Sequence, residues 1–342
     1  MNFISDNAYG ASPEIIAALA AANSATASSY GEDEITARVT RRFCEIFERD
    51  VAVFPVATGT AANALSLATI SPPHGAIFCH ENSHIMFDEC AAPEFFTGGA
   101  RLVPLKGEGA KVTPEAIERA LPRYRGGVHS AQPAAISITQ ATEWGRVYAP
   151  HEIGALSELA RREAMAFHMD GARFANALVH LNCAPAEITW KNSVDVLSFG
   201  ATKNGALCAE AVIFFDPEFV RDFEYRRKRG GHLISKMRFI SAQLEAYLAN
   251  DLWLRQARTA NALAQRLATG LSAMADADLA EPVEANEILV RLPDSKVEKL
   301  RQAGAVFYDW ESPHNGRTLI RLVLSFLTPP GDVDRFIEVA RS

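Results

Sequence analysis

Short runs of apolar residues alternate with amphipathic stretches along the first two thirds of the chain. Seven such runs stand out, and most are apolar almost throughout, which is typical of strands buried on both faces of a sheet. They are Val51–Pro55, Ala76–His80, Arg101–Leu105, Ala134–Thr139, Ala164–Met169, Val194–Phe199 and Ala211–Phe215. Helical patterns lie between several of them, at Ala61–Ala68, Pro114–Leu121 and Pro150–Glu163. This alternation predicts an α/β domain with a mostly parallel, seven-stranded sheet.

The pattern changes after Phe215. Residues Met237–Met274 predict long helices with little interruption. A smaller unit of three predicted strands and two predicted helices follows, at Asn286–Leu292, Ser295–Ala303, Val306–Asp309, Thr318–Leu324 and Asp332–Ala340. We therefore predict a large α/β domain over residues 1–245, which includes the N-terminal segment, and a small C-terminal α+β domain over residues 246–342.

Composition narrows the possible partners. The chain of 342 residues carries a formal net charge of −7, and its one basic cluster, residues 225–229, is short. This charge argues against a nucleic-acid-binding surface. No apolar run approaches the roughly 18 residues that a membrane span needs. The five cysteines include no CxxC pair and lie in apolar surroundings, which predicts free thiols. We expect a cytoplasmic protein without nucleic-acid or membrane partners.

In open α/β sheets, ligands bind beyond the carboxyl ends of the strands, so polar residues that follow the apolar runs are the first candidates. After the first run, residues 57–63 form a turn of small residues that leads into a predicted helix. Free backbone N–H groups at such a position suit a phosphate, and Thr58 and Thr60 can add hydroxyl donors. The turn lacks the sequence patterns of nucleoside-triphosphate and dinucleotide loops. Taken alone, it is equally well explained as a helix cap.

Two further candidates follow the fifth and sixth runs. Asp170 lies where it could pair with a pyridine nitrogen and keep it protonated, or where it could simply cap the next helix. Lys203 stands between small residues, where its amine could form a Schiff base or lie exposed in a loop. A phosphate turn, a pyridinium partner and a Schiff-base lysine are together what one pyridoxal 5'-phosphate (PLP) molecule requires. We therefore predict PLP as the cofactor.

Other polar residues suggest the rest of a site. His84, after the second run, could stack on a flat ring or act as a base near neutral pH, and His129, before the fourth run, could supply a second imidazole. Arg321 interrupts an apolar run and needs an anion, either a substrate carboxylate or a protein carboxylate. Histidines and cysteines over residues 79–90 invite a zinc interpretation, but their spacing does not favour it, and we predict no metal.

Nearly the whole chain resembles one family, the low-specificity L-threonine aldolases, which are PLP enzymes of fold type I (the aspartate-aminotransferase fold). The most specific match is His-x-Asp-Gly-Ala-Arg at residues 168–173, at the expected distance before Lys203. The other matching segments are residues 5–7, 27–33, 58–63, 83–84, 88–90, 138–143, 200–204 and 235–239, together with Arg321.

The resemblance implies how the cofactor would be held. Lys203 would form the Schiff base, Asp170 would pair with the pyridine nitrogen, and Arg173 would lie near the ring oxygen. His84 would stack on the ring. The phosphate would be held by Gly59 and Thr60, in the turn that also contains Thr58.

The resemblance also implies the substrate contacts and the assembly. Ser5 and Arg321, with Arg173 nearby, would grip the substrate carboxylate. Tyr30 and either Lys228 or Lys236 would reach the site across a subunit interface, because the family resembles dimers of dimers with composite sites. We accordingly predict a homotetramer with active sites at the dimer interface.

The reaction that the resemblance implies is retro-aldol cleavage of L-threonine, L-allo-threonine and other β-hydroxy-α-amino acids to glycine and an aldehyde. His84 or His129 would take the β-hydroxyl proton. Many relatives differ at residues 200–204 and 139–143, and they often carry an aromatic residue at the position of Asp88. The alternatives are a β-eliminating lyase, a racemase or an aminotransferase on the same scaffold, and, from another class, a non-catalytic effector-binding regulator.

Overall fold

The seven predicted strands form one sheet in the computed structural model, which describes residues 1–24 and 26–342. The spatial order is β1-β7-β6-β5-β4-β2-β3. Only β7 runs against the others, so the prediction of a mostly parallel sheet is confirmed. The strands are β1 (Ala52–Val56), β2 (Gly75–His80), β3 (Arg101–Leu105), β4 (Gln132–Thr139), β5 (Ala166–Gly171), β6 (Val196–Gly200) and β7 (Glu210–Phe214).

Helices cover both faces of this sheet, because the strands are apolar on both sides. Aromatic side chains fill the space on each face, with Phe43, Phe174 and Phe199 on one and Phe54 and Phe223 on the other. The helices are α1 (Pro13–Ala22), α2 (Glu34–Ile46), α3 (Gly59–Ile70), α4 (His84–Phe87), α5 (Ala92–Thr97), α6 (Pro114–Ala120), α7 (Pro150–Arg162), α8 (Phe174–Leu181), α9 (Val220–Arg229), α10 (Arg238–Leu248), α11 (Leu252–Ser272), α12 (Asp294–Gln302) and α13 (Pro330–Arg341).

A smaller antiparallel sheet follows, in the order β10-β11-β9-β8. Its strands are β8 (Asp278–Leu279), β9 (Glu287–Pro293), β10 (Tyr308–Asp309) and β11 (Arg317–Val323). Helices α11, α12 and α13 pack against it around a second core. The predicted α+β character of the C-terminal part is therefore confirmed, with β8 as an additional short strand.

The N-terminus packs against the small sheet rather than the large one. The backbone N–H of Phe3 donates to the carbonyl of Val306 at 2.8 Å, and the Phe3 ring packs edge-to-face on Phe336 at 5.3 Å between centroids. The first residues thus cross from the predicted large domain to the small one. This path carries Ser5 and Asp6 through the space between the two sheets.

Six helices were not predicted from the apolar pattern: α1, α2, α4, α5, α8 and α9. The alanine-rich sequence of α1 shows little difference between its two faces, so its period is hard to recognise. The predicted helical stretch over 237–274 divides into α10 and α11 at a turn where Asn250 and Asp251 adopt positive φ. None of the helices in the described residues is both long enough and apolar enough to span a bilayer.

Candidate active site

A cleft opens where the carboxyl ends of the parallel strands face the small antiparallel sheet. It consists of two adjoining cavities of about 390 and 440 Å³, which we name the first and the second cavity. The first lies against the turn at Thr58–Thr60, and the second lies against β9, β10 and β11. Residues common to both walls join the cavities: Asn7, His84, Asp170, Ala172 and Lys203. The fold therefore brings most of the strand-end candidates to one place.

The turn after β1 forms an anion-binding end of the first cavity. Thr58 caps α3, and its Oγ1 accepts the backbone N–H of Ala61 at 3.2 Å. The N–H groups of Gly59 and Thr60 stand at the start of the helix, where no carbonyl one turn earlier can accept them. A Cβ built on Gly59 would meet open space. The turn thus presents backbone donors and the positive end of the α3 dipole to the cavity, as a phosphate requires.

Asp170 is buried at the end of β5, with 4% of its surface exposed. Its Oδ1 accepts the backbone N–H of Ala172 at 3.0 Å, and its Oδ2 accepts the Asn63 amide at 2.8 Å. The same Asn63 amide nitrogen also donates to Glu89 Oε1 at 2.8 Å. These bonds fix the carboxylate in the wall of the first cavity, where it can pair with a protonated ring nitrogen.

Lys203 projects from a short 3₁₀ turn that follows β6. The turn is anchored by Asn204, whose side-chain amide donates to the hydroxyl of Tyr247 at 2.7 Å and to the carbonyl of Trp253 at 2.8 Å. The Lys203 amine has no acceptor within residues 1–24 and 26–342, although it lines both cavities. Burial raises the pKa of the neighbouring Glu210 to about 7, against the opposing effects of its hydrogen bonds and of the Lys203 charge.

His84 starts α4 and is held from two sides. Its Nδ1 lies 2.8 Å from Glu89 Oε1, and its backbone N–H donates to Glu143 Oε1 at 2.7 Å. The second ring nitrogen, Nε2, remains available to a ligand in the cleft. Burial lowers the pKa of His84, but the Glu89 hydrogen bond and the Asp170 charge outweigh that effect and raise it. The surroundings of His84 therefore shift it towards the cationic form.

Arg321 is the less neutralised of the two arginines that line the second cavity. Its guanidinium lies over the rings of Tyr308 and Trp310, at 5.4 and 4.7 Å from their centroids. The nearest carboxylate is Glu287, at 3.9 Å, and Arg321 Nε meets no acceptor among the described residues. A buried donor without a partner is costly, so this site suits the carboxylate of a ligand.

Arg173 is already neutralised by protein carboxylates. Its Nε lies 2.9 Å from Asp6 Oδ2, and its Nη1 lies 3.2 Å from Glu287 Oε2. It lines the second cavity, but it is less able than Arg321 to bind a substrate carboxylate, because its own charge is already paired. Ser5 lines the same cavity, and its Oγ accepts the backbone N–H of Asn7 at 3.1 Å.

Four predicted residues lie outside both cavities in the single chain. His129 is exposed in a turn before β4, at the opposite end of an eight-residue strand that spans roughly 25 Å. The prediction that it supplies a second imidazole therefore has no support in the fold of one chain. Tyr30, Lys228 and Lys236 are exposed, and the Lys228 amine lies 4.6 Å from the centroid of the Tyr30 ring.

Several buried polar side chains at the site were not assigned roles from sequence. They surround the candidate residues and orient them through hydrogen bonds or charge: Asn63, Glu89, Glu143, Glu210 and Glu287. Glu210 and Glu287 each begin an apolar run, so an acid at the start of a buried strand was the available signal. Glu89 and Glu143 lie in segments of the family resemblance, but their sequence context gave no role.

The fold and this donor set define a PLP-dependent enzyme of fold type I, with the phosphate turn, Asp170 and Lys203 arranged around one cavity. A family model for beta-eliminating lyases matches residues 2–295. The chain belongs to this family, and within it to the low-specificity L-threonine aldolase group, as its relatives indicate.

Two curated relatives are low-specificity L-threonine aldolases from Pseudomonas. The protein of P. aeruginosa strain PAO1 is 42% identical over 99% of this chain and 96% of its own length. That of Pseudomonas sp. strain NCIMB 10558 is 43% identical over 90% of this chain and 88% of its own length. The solved structure of Leishmania major threonine aldolase superposes with a TM-score of 0.94 at 27% identity, covering 99% of this chain and 98% of that one.

Proposed function

We propose that this enzyme cleaves β-hydroxy-α-amino acids, L-threonine and L-allo-threonine among them, to glycine and an aldehyde. The proposal rests on one observation, that the two cavities meet at Lys203, which lines both of them. A substrate held by its carboxylate at Arg321 would thus have its amino group beside the lysine that carries the cofactor. The family membership supports the same reaction.

The residues of the first cavity fit the cofactor. Gly59 and Thr60 would hold its phosphate, Asp170 its pyridine nitrogen and Lys203 its carbonyl carbon. PLP supplies an electron sink conjugated to Cα once the amino acid is bound. The contribution of the chain is to keep the ring nitrogen protonated through Asp170, to cover the ring with His84 and to fix the direction of the scissile bond through Arg321.

The products of turnover distinguish this function from its rivals. Purified holoenzyme is incubated with L-threonine and with β-phenylserine, and aldehyde, glycine, ammonia and keto acid are measured. We expect aldehyde and glycine in equal amounts. Ammonia and keto acid without aldehyde would instead indicate β-elimination, and transfer of the amino group or loss of chirality alone would indicate an aminotransferase or a racemase.

Replacing Arg321 with glutamine should raise KM for the amino acid by roughly 30-fold or more. Loss of one partner of a buried charge pair costs about 2–5 kcal/mol, and about 1.4 kcal/mol corresponds to a tenfold change. The affinity for PLP should change little. Steady-state kinetics and PLP titration of the apoenzyme measure the two quantities. Arg291→Gln is a suitable control, because Arg291 forms an exposed ion pair with Glu311 in the same small sheet. A KM for R321Q equal to that of the control would rule out the carboxylate role.

We also propose that a second subunit completes the site, in a homodimer or a dimer of dimers. Large apolar side chains are exposed near the cleft, with Leu207 55% and Phe87 69% exposed, which is typical of a surface that another chain covers. Tyr30 and Lys228, which contact each other away from both cavities, would then serve the partner's site. The free cysteines are consistent with the reducing cytoplasm as its location.

A complementation experiment tests this composite site. Tyr30→Ala and Lys203→Ala proteins are each expected to have little activity, since each site would lack one component. Mixing them under conditions that exchange subunits should restore activity, because some sites would then receive native Lys203 from one chain and native Tyr30 from the other. Sedimentation analysis reports the assembly size. Failure to recover activity despite demonstrated exchange would place Tyr30 in the site of its own chain.

A further inference from the structure

Glu143 is a buried acid in the wall of the second cavity that the cofactor does not need. It lies beyond the end of β4, with 9% of its surface exposed. Its Oε1 accepts the backbone N–H of His84 at 2.7 Å and the hydroxyl of Thr139 at 3.0 Å. Its Oε2 has no hydrogen-bond partner in the described part of the chain. A buried oxygen without a partner is unfavourable, so it calls for an explanation.

The surroundings of Oε2 suggest what its partner is. The wall that contains Glu143 also contains Arg321, which would fix the carboxylate of a bound amino acid, and Lys203, whose place on the cofactor the amino group would take. With those two ends held, the substituent on Cβ remains to be placed in the same cavity. A β-hydroxyl group has one O–H donor, which a single carboxylate oxygen can accept.

His84 is less suited to accept this proton. Its Nδ1 is bonded to the buried Glu89, and that hydrogen bond and the charge of Asp170 raise the pKa of His84 against the effect of burial, which increases the share of imidazolium, a form without a lone pair to offer. Burial raises the pKa of Glu143 to about 7, and the charge of Asp170 acts in the same direction. A carboxyl group with such a pKa exchanges a proton efficiently near neutral pH.

We propose that Glu143 is the group that accepts the β-hydroxyl proton of the substrate, while His84 covers the ring. The O–H proton moves to Glu143 Oε2, and the electron pair of that bond forms the aldehyde C=O. The Cα–Cβ bond breaks with its electron pair remaining on the Cα side, and a proton delivered to Cα completes glycine. The substrate loses one proton from its β-hydroxyl and gains one at Cα, so the reaction is balanced. This inference rests on the proposed aldol function.

The charged and titratable groups around Glu143 come from several elements. Asp170 on β5 opposes its ionisation, whereas His84 and Thr139 stabilise the carboxylate through hydrogen bonds. The other groups whose charge or ionisation is coupled to Glu143 are Cys79, Tyr148 and Arg173. Since ionisation of Glu143 generates the base, kcat/KM should rise with pH through about 7.

Glu143→Gln tests the proposal, because the amide oxygen can still accept the bonds from His84 and Thr139. We expect kcat/KM for L-threonine and β-phenylserine to fall about 10²-fold or more, the usual contribution of a general base. The rise of kcat/KM through about pH 7 should disappear. Exchange of the glycine α-proton in D₂O, and the glycine dissociation constant read from cofactor absorption, should stay within about twofold, since glycine has no β-hydroxyl. Glu143→Asp should retain the rise with pH at a lower rate.

Asp195→Asn is a matched control. Asp195 accepts the backbone N–H of Phe167 at 2.7 Å near the start of β6, away from the cleft, and burial raises its pKa to about 6. This variant should keep the wild-type pH profile. Glu143 is not the base if E143Q keeps the rise with pH, or if glycine affinity and exchange fall together with cleavage, which would indicate a structural role. Failure of the wild-type enzyme to form any aldehyde while it still exchanges glycine would instead refute the aldol function itself.

Discussion

Replacing Lys203 with alanine is expected to reduce cleavage of β-hydroxy amino acids by about 10⁴-fold or more, the scale of loss when a covalent catalytic group is removed. Lys203 is the amine that lines both cavities, and no acceptor in the described chain competes for it. Borohydride reduction of wild-type holoenzyme, followed by peptide mass spectrometry, should place the cofactor on residue 203. The K203A protein should carry no such label.

Lys228→Ala and Lys236→Ala are informative comparisons for this variant. Both lysines are exposed and lie outside the cavities of their own chain, so each variant should still show the label on Lys203. A label on another lysine in wild type, or retention of the imine absorption in K203A, would require a different attachment residue.

Replacing Asp170 with asparagine is expected to lower kcat/KM by about 10³-fold, the range found when a preorganised electrostatic partner of the transition state is lost. Asparagine has nearly the same shape and can still accept the N–H of Ala172. It carries no charge, however, so it would not hold a pyridine nitrogen in the protonated form that withdraws electrons. The cofactor should remain bound, and its absorption should shift.

Asn63→Asp supplies the complementary test. It would replace the amide that donates to both Asp170 and Glu89 with a third carboxyl group, while leaving the Asp170 carboxylate in place. Because the Asp170 carboxylate remains, we expect a smaller loss of kcat/KM than in D170N. Because the new acid stands where Asp170 needs a donor, we also expect weaker cofactor binding. Cleavage by D170N at more than a tenth of the wild-type rate would show that the ring nitrogen does not depend on this carboxylate.

The sequence by itself determined the large sheet and the main candidate residues that the sheet presents. All seven apolar runs became strands, with bounds that differ by at most two residues from those predicted. Burial on both faces removes polar residues along an entire strand, so the signal is local and strong. Once the strands were located, the common direction of the parallel strands placed Thr58, Asp170 and Lys203 at one edge without further information.

Which polar groups would pair with one another was decided only by the tertiary structure. Arg173 bonds to Asp6, 167 residues away, and Asp170 bonds to Asn63, 107 residues away. The first of these pairs leaves Arg321 as the less neutralised arginine of the second cavity, although sequence offered both arginines for the substrate. His129 and His84 likewise looked similar in sequence, and the direction of β4 separated them. Hydrophobic periodicity tells which face of an element is buried, but it contains no information on which distant side chain will meet a buried charge.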